Sequence, residues 1–155
     1  MDDPNRHGCR LRTGRHSQPH GCYLVTAVTH ERQPIFREFQ LGHLLVQVLH
    51  GQHQRGVVDS LAFVIMPDHL HWLIQVGEKY PLQRIIQFTK SMSARRINAA
   101  CGHPGRRIWQ AGFHDHALRR EEDLQAVARY VIANPIRSGL VKTIGDYPLW
   151  DAAWL

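Results

Sequence analysis

The spacing of apolar positions along the chain predicts alternating strands and helices. The segment from Cys22 to Thr29 is rich in β-branched and aromatic residues and is typical of a strand. Apolar residues then recur at helical spacing from Leu41 to Leu49, and Gly51 is expected to end this helix. Further strands are predicted over Val57 to Met66 and over His69 to Val76. Because only a Pro-Asp pair separates these two runs, we expect an antiparallel hairpin.

The second half of the chain continues the same alternation. Pro81 opens a second helix with a regular buried face, predicted as Leu82, Ile85, Ile86, Thr89 and Ser93. A weaker strand signal covers Ile108-Trp109 and Phe113 to Leu118. Acidic residues then precede a third helix from Leu124 to Val131, which Pro135 ends. The order β-α-β-β-α-β-α predicts an α+β fold, namely a ferredoxin-like (RRM-like) βαββαβ sandwich with an added C-terminal helix.

The charge distribution adds an expectation about the binding partner of this fold. The chain has 155 residues and a formal net charge of +6, and 16 of its 19 basic residues are arginine. Residues 79–142 hold 12 basic and 4 acidic side chains. Arginine binds phosphate in a bidentate manner and stacks on bases, so this excess favours a nucleic-acid partner. The alternative is an arginine-rich solvated surface.

The two ends of the chain add expectations about domain organisation and localisation. Residues 1–20 are polar and contain Arg12 and Arg15, which predicts a flexible basic arm before a single domain over residues 21–155. The aromatic tail from Tyr147 is expected to pack back on this domain. No apolar run approaches the ~20 residues that span a bilayer, and no apolar segment follows the acidic start. We therefore expect a cytoplasmic protein without a membrane partner.

Two histidines at the start of the third strand form the first candidate for chemistry. Side chains alternate along a strand, so His69 and His71 point to the same face, ~6.6–7 Å apart, and can converge on one metal ion. The alternative is a pair of exposed polar side chains in a chain with 12 histidines. A second pair, in His114-Asp115-His116, competes for the metal and would favour a zinc-dependent hydrolase.

The third helix supplies a second candidate. Tyr130 and Asn134 are four residues apart, about 40° around a helix, and lie beside its apolar stripe. Asn134 offers a carbonyl oxygen to a metal, and a phenolate is a nucleophile toward phosphorus when a cation stabilises its charge. The alternatives are a boundary tyrosine with a solvated hydroxyl and a capping asparagine before Pro135.

The second helix offers candidate phosphate contacts. Arg84, Ser91 and Arg95 fall close to one stripe, at spacings of seven and four residues, with Lys90 beside it. We interpret these four residues as contacts to a DNA backbone. A solvated polar face is the alternative.

Five segments taken in order resemble a known family. They are His20 to Thr26, Met66 to Trp72, Lys90 to Asn98, Trp109 to Arg119 and Ala128 to Pro135. Together they are similar to single-tyrosine HUH transposases of the IS200-like superfamily, specifically the REP-associated tyrosine transposases of bacteria. The resemblance runs from about residue 20 to the end of the chain.

This resemblance implies a site and a reaction. It places the family's paired metal-binding histidines on His69 and His71, the nucleophile on Tyr130 and the third ligand on Asn134. It implies a single-stranded DNA endonuclease and strand transferase that cuts beside an imperfect palindromic hairpin through a 5′-phosphotyrosine intermediate. The metal is expected to be Mg²⁺ or Mn²⁺; two histidines and an amide are softer ligands than Mg²⁺ prefers.

The resemblance also bears on partners. The arginine-rich arm and the segment His20-Gly21, where related proteins often have two glycines, are expected to help hold the hairpin. A monomer associated with the bacterial nucleoid is favoured over a dimer. A non-catalytic nucleic-acid-binding domain of the RRM type remains an alternative, although the exposed aromatic pairs that such sheets use are not apparent on adjacent strands.

Overall fold

A computed structural model describes residues 18–119 and 123–153 of the chain. The strands are β1 (Cys22–Val28), β2 (Val58–Met66), β3 (His69–Val76), β4 (His114–Ala117) and β5 (Trp150–Ala152). The α-helices are α1 (Phe39–Gln54), α2 (Leu82–Cys101), α3 (Leu124–Ile132) and α4 (Asn134–Arg137). Short 3-10 turns lie at His30–Arg32, Ile35–Arg37 and Ile144–Asp146. No helix within the described ranges is long and apolar enough to cross a membrane.

The five strands form one antiparallel sheet in the order β4-β1-β3-β2-β5. The first four strands and the helices α1 and α2 follow the ferredoxin-like plan, in which β1 and β3 lie at the centre. The predicted α+β class is therefore confirmed, and β5 extends the sheet beyond β2. The predicted hairpin between β2 and β3 is also present.

Alternation along β3 divides the apolar residues between two layers. Trp72 and Ile74 are fully buried in the main core, which includes residues of α1 and α2. Leu73 faces the other way and packs in a smaller cluster with Ala128 and Ile132 of α3. The sheet therefore lies between α1 and α2 on one face and α3 on the other, and α3 packs against the sheet of its own chain.

Two helix ends differ from the sequence-based expectation for a physical reason. The first helix does not end at Gly51 but continues to Gln54, and Gly56, with φ 72°, adopts the left-handed backbone that follows the helix. The third helix ends before Pro135, as expected. However, Pro135 then lies in the first turn of α4, where a proline has no hydrogen bond to lose.

The aromatic tail packs on the body, as expected. Leu149 is fully buried, and the Tyr147 hydroxyl donates a hydrogen bond of 2.5 Å to the carbonyl of Ile65. Burial raises the pKa of Tyr147 to about 12. The tail then pairs with β2 as β5, a strand that the sequence pattern did not predict because three residues show no periodicity.

The described chain begins within the predicted basic arm. Arg12 and Arg15 lie outside the described residues. The last residues of the arm contact the end of β3. The backbone amide of His20 donates to the carbonyl of Val76, and Nε2 of the His20 ring lies 3.0 Å from Oε1 of Glu78. His20 has φ 63°, a left-handed conformation that glycine adopts more readily.

Close contact between α1 and the tail generates a prediction about stability. A Cβ atom on Gly42 would lie 2.3 Å from Cδ1 of the buried Leu149. We therefore expect Gly42→Ala to lower the free energy of unfolding by about 1–3 kcal/mol, as for other overpacked sites, measured by urea denaturation.

Gly51 in the same helix is the matched control. Its added Cβ would meet only the far end of the Arg55 side chain, at 3.3 Å. Gly51→Ala should be neutral or stabilise by up to about 1 kcal/mol, since alanine is the better helix former. Equal effects of the two substitutions would contradict the packing of the tail described above.

Candidate active site

The two histidines of β3 lie side by side on the sheet face that α3 covers. Their ring centroids are 4.7 Å apart and the rings are nearly perpendicular, at 82°. Nδ1 of His69 lies 2.7 Å from Oδ1 of Asp68, and Nδ1 of His71 lies 2.9 Å from the hydroxyl of Thr26. Because each ring is oriented through Nδ1, each has Nε2 left for another ligand. Hydrogen bonds of this kind are typical of metal-binding histidines.

A strained turn supports the first of these contacts. Glu31 and Arg32 have φ values of 53° and 52°, which are unfavourable for residues with a side chain. The turn places the guanidinium of Arg32 3.3 Å from Oδ2 of Asp68. Burial raises the pKa of Asp68, but the hydrogen bond to His69 and the charges of His69 and Arg32 outweigh it and hold that pKa below its usual value. Asp68 therefore stays ionised and can accept from His69.

The second histidine is held in its neutral form. Burial lowers the pKa of His71 to about 4, and the positive charges of His69 and Arg137 add to the effect. A histidine must be neutral to ligate a metal, so His71 is ready to do so at neutral pH. Within residues 18–119 and 123–153, no three His, Cys, Asp or Glu side chains form a group that could hold a metal. Among the described residues, a further ligand to an ion at this pair would therefore be a group of another kind, such as an amide oxygen.

Helix α3 carries Tyr130 on the same side of the sheet as the two histidines. The helix begins at Asp123, whose side chain accepts hydrogen bonds from two first-turn amides. Val131 is fully buried against the sheet, whereas Tyr130 is 61% exposed. The guanidinium of Arg137 stacks on the Tyr130 ring, 3.8 Å from its centroid. Arg137 also lowers the pKa of His71, so the structure brings Tyr130 and His71 within the electrostatic reach of one arginine.

Asn134 lies at the start of α4, one turn beyond Tyr130. Its side-chain NH₂ donates a hydrogen bond of 2.8 Å to the carbonyl of Val131. The carbonyl oxygen of the Asn134 amide is thus the atom that could contact a metal ion.

The predicted phosphate contacts on α2 lie on the other side of the sheet. Arg84, Ser91 and Arg95 are exposed on the outer face of this helix. Lys90 instead donates hydrogen bonds to the carbonyls of Gln110, at 2.8 Å, and Gly112. Burial and the nearby charge of Arg107 lower the pKa of Lys90. Lys90 therefore anchors the loop before β4, and a phosphate contact from it would have to replace these bonds.

The competing histidine pair lies on β4. His114 and His116 are exposed, and pairing with β1 places His114 opposite Thr26. Because β1 lies between β4 and β3, the backbones of β4 and β3 are about 10 Å apart. A catalytic zinc ion needs three protein ligands. Since the described residues contain no such group, the structure does not favour the zinc hydrolase.

The RRM-type alternative also finds no support. The exposed phenylalanine and tyrosine residues of the described chain are Phe39, Tyr80, Phe88 and Tyr130, and all of them lie on helices or loops. RRM sheets read RNA through aromatic residues on neighbouring strands.

Four residues that surround the candidate site did not stand out in the sequence. In the sequence, Asp68 is typical only of a turn residue, although it directly precedes His69. Thr26 and Arg32 contact the site only through the pairing of β1 with β3 and the turn that follows β1. Arg137 reaches Tyr130 only because α4 turns back after α3.

Comparison with known proteins agrees with this architecture. The sequence profile of the family described as "Transposase IS200 like" matches residues 18–134. A REP-associated tyrosine transposase of Escherichia coli K12 is 32% identical over 89 residues, which are 56% of this chain and 50% of that protein. A Haemophilus influenzae protein named for the same group is 29% identical over 99 residues, 58% of this chain and 56% of that protein.

A solved structure shows the same fold. The structure of a REP-associated tyrosine transposase bound to a REP hairpin superimposes with a TM-score of 0.67 at 23% identity, covering 91% of this chain and 82% of that one. The profile match extends over more than half of the chain, and the chain therefore belongs to the IS200-like transposase family. It spans about half the length of the curated relatives that it matches.

The environment of His71 generates a prediction about pH. Its native pKa of about 4 lies below the 6.5 of an unfolded histidine, so the unfolded chain binds more protons between these values. In metal-free protein with EDTA, the contribution of His71 to stability is fully present above pH 6.5. It should be lost as the pH falls toward 4. Urea denaturation at several pH values measures this loss, and His71→Gln should flatten the dependence. An NMR titration of His71 near pH 6.5 would contradict the buried, neutral ring.

Proposed function

We propose that this protein is a transposase that cuts and rejoins single-stranded DNA beside a palindromic hairpin, with Tyr130 as the nucleophile. The proposal rests on one arrangement: an exposed tyrosine on the helix that covers the sheet face bearing two oriented histidines. A tyrosine with a purely structural role would be expected to bury its ring, whereas Tyr130 is 61% exposed.

The donor atoms around the histidines fit a divalent metal ion. Nε2 of His69 and His71 would hold Mg²⁺ or Mn²⁺, with Oδ1 of Asn134 as a third ligand. When bound, such an ion supplies a Lewis acid that polarises the scissile phosphate. Asp68 and Thr26 fix the ring orientations through Nδ1, so the pair is arranged before the ion arrives.

Tyr130 performs the bond-breaking step. Its phenolic oxygen attacks phosphorus, a Tyr–O–P bond forms, and the bond from phosphorus to the 3′ oxygen breaks. The phenol gives up its proton as it attacks, and the leaving oxygen takes up a proton and becomes a free 3′-hydroxyl. The 5′ phosphate stays on the tyrosine. A DNA 3′-hydroxyl can reverse these steps and rejoin strands without an energy source, because the phosphodiester is conserved in the covalent link.

Arg137 is suited to position the nucleophile. Its stacking on the Tyr130 ring restricts the side chain, which is otherwise exposed. The guanidinium also adds positive charge beside the place where a phosphate would approach.

A DNA hairpin is the ligand that the charge and the relatives favour. The solved neighbour is bound to a REP hairpin, and this chain has an excess of basic residues over residues 79–142. We assign contacts with the backbone of the hairpin and its single-stranded flanks to Arg84, Lys90, Ser91 and Arg95, and to Arg12 and Arg15 of the basic arm. Since α3 packs on its own sheet, we propose that one chain forms the complete site as a monomer.

A covalent-adduct assay tests the nucleophile. A hairpin with single-stranded flanks, labelled at its 3′ end, should give a labelled protein–DNA band on a denaturing gel with Mn²⁺. A 5′ label should instead appear on a shorter free strand. Tyr130→Phe should lower adduct formation by about a thousandfold or more, since the attacking oxygen is gone. His69→Ala should lower it as well.

Matched variants make the result specific. Tyr147→Phe removes a hydroxyl from the tail, and His116→Ala removes a histidine of the competing pair. Both variants should form the covalent adduct in the same yield as the unmodified protein. Mass spectrometry of the trapped peptide should locate the DNA on Tyr130. An adduct that persists in Tyr130→Phe, or cleavage that requires His116, would refute the proposed chemistry.

The hydrogen bond between Thr26 and His71 generates a prediction about metal binding. Thr26→Val keeps the shape of the side chain but removes the hydroxyl that orients the ring. Loss of such a contact weakens metal affinity by about 10–100-fold. Calorimetric titration with MnCl₂ should show this loss, and Thr26→Ser should restore most of the affinity. Unchanged Mn²⁺ affinity in Thr26→Val would exclude His71 Nε2 as an oriented ligand.

A further inference from the structure

A second site candidate lies at the end of the sheet far from the histidines. A cavity of about 580 Å³ opens between the C-terminal end of α1 and the N-terminal end of α2. We name it the α1–α2 pocket, and its side chains include Arg55, Lys79, Tyr80, Arg84 and Phe88. Its volume falls within the range of ligand sites.

The α1–α2 pocket is set apart from the candidate active site. It is also lined by Val57, which precedes the residue paired with Val76 at the end of β3. His69 is at the other end of this strand, seven residues away, which corresponds to about 23 Å. The pocket therefore takes no part in the chemistry at Tyr130.

The charge of the pocket favours an anion. Arg55, Lys79 and Arg84 supply three cationic side chains, and no carboxylate is among the described lining residues. The neighbouring Glu78 lies 3.0 Å from the ring of His20, outside the lining. The first turn of α2 has no side-chain cap, so its amides add to the positive potential at the pocket.

Aromatic rings accompany these charges. Tyr80 is 45% exposed and Phe88 is 38% exposed, although large apolar side chains are usually buried. Arg55 lies over the Phe88 ring, 5.8 Å from its centroid, and its Nε donates to the carbonyl of Gly51 at 3.2 Å. The guanidinium is thus held over the ring before any ligand binds.

We propose that the α1–α2 pocket binds a short single-stranded stretch of DNA that adjoins the hairpin. Its bases stack on Tyr80 and on the guanidinium of Arg55 that lies over Phe88, and its phosphates contact Lys79 and Arg84. Exposed rings beside cations are the combination that single-stranded nucleic acid requires. A duplex fits less well, because its bases are already stacked on one another. The inference rests on the proposed function in one respect, namely that the ligand is DNA that carries a hairpin.

A binding assay without chemistry tests this proposal. Fluorescence anisotropy in EDTA compares a DNA hairpin that carries a single-stranded oligothymidine arm with the same hairpin without the arm. The ratio of the two dissociation constants is the arm gain. We expect an arm gain of about tenfold or more, in line with the contribution of one or two stacked bases.

Two variants separate stacking from charge. The double variant Tyr80→Ala/Phe88→Ala should lose most of the arm gain and keep its affinity for the armless hairpin, which also shows that it is folded. Arg84→Gln should reduce the arm gain and lower the salt dependence of arm binding by about 0.7, the value for one phosphate contact on a single strand. Arg96→Gln, at an exposed position of the same helix, is the charge-matched control and should leave the arm gain unchanged.

Three outcomes would overturn the proposal: no arm gain in the unmodified protein, an arm gain that survives the double aromatic variant, or an equal gain from a double-stranded arm. The assay is independent of cleavage. If no covalent adduct forms but the arm gain depends on Tyr80 and Phe88, the proposed function fails while the pocket assignment stands. If the adduct forms without any arm gain, the pocket assignment fails while the proposed function stands.

Discussion

The register of β3 is the constraint on which both the core and the candidate site depend. Side chains alternate along a strand, so Trp72 and Ile74 enter the core beneath α1 and α2 while His69 and His71 face the other way. A slip of one residue would exchange these sets and bury two imidazoles among apolar side chains. Pairing with β1 then places Thr26 opposite His71, where its hydroxyl meets Nδ1. The burial of the tryptophan and the orientation of the histidine thus have the same origin.

The second constraint is the break between α3 and α4. The ring of Pro135 is incompatible with a continuous helix, and α3 ends at Ile132 before a short turn begins again at Asn134. Because of this bend, Arg137 returns toward Tyr130 and stacks on its ring. The apolar side of α3 is anchored through Ala128 and Ile132, so the tyrosine lies on a rigid element next to an irregular one. Such a position gives the tyrosine ring a defined location on the side of the sheet that bears the two histidines.

Backbone strain collects at two places, one near each end of β3. His20 has a left-handed backbone next to β3, and Glu31 and Arg32 do so beside Asp68. Each such residue is unfavourable by about 1–3 kcal/mol and persists only where other contacts hold it. Those contacts are visible here: His20 is bonded to Glu78, and Arg32 to Asp68. The strained turn that carries Arg32 is thus part of the support of the candidate metal ligand His69.

The sequence by itself determined the fold class and predicted His69, His71, Tyr130 and Asn134 as candidate site residues, but not the contacts that surround them. Periodicity predicted the hairpin of β2 and β3 and the buried face of α2, because both depend on local spacing. Strand alternation likewise placed His69 and His71 on one face. The tertiary structure decided that Thr26 and Arg137 lie near this pair, since each arrives from a separate segment, and that the Asp68 carboxylate turns toward the ring of His69. It also turned Lys90 toward loop carbonyls and gathered the α1–α2 pocket from residues that are distant along the chain. Spacing along a chain encodes which face a residue occupies, whereas only packing decides which neighbour it meets.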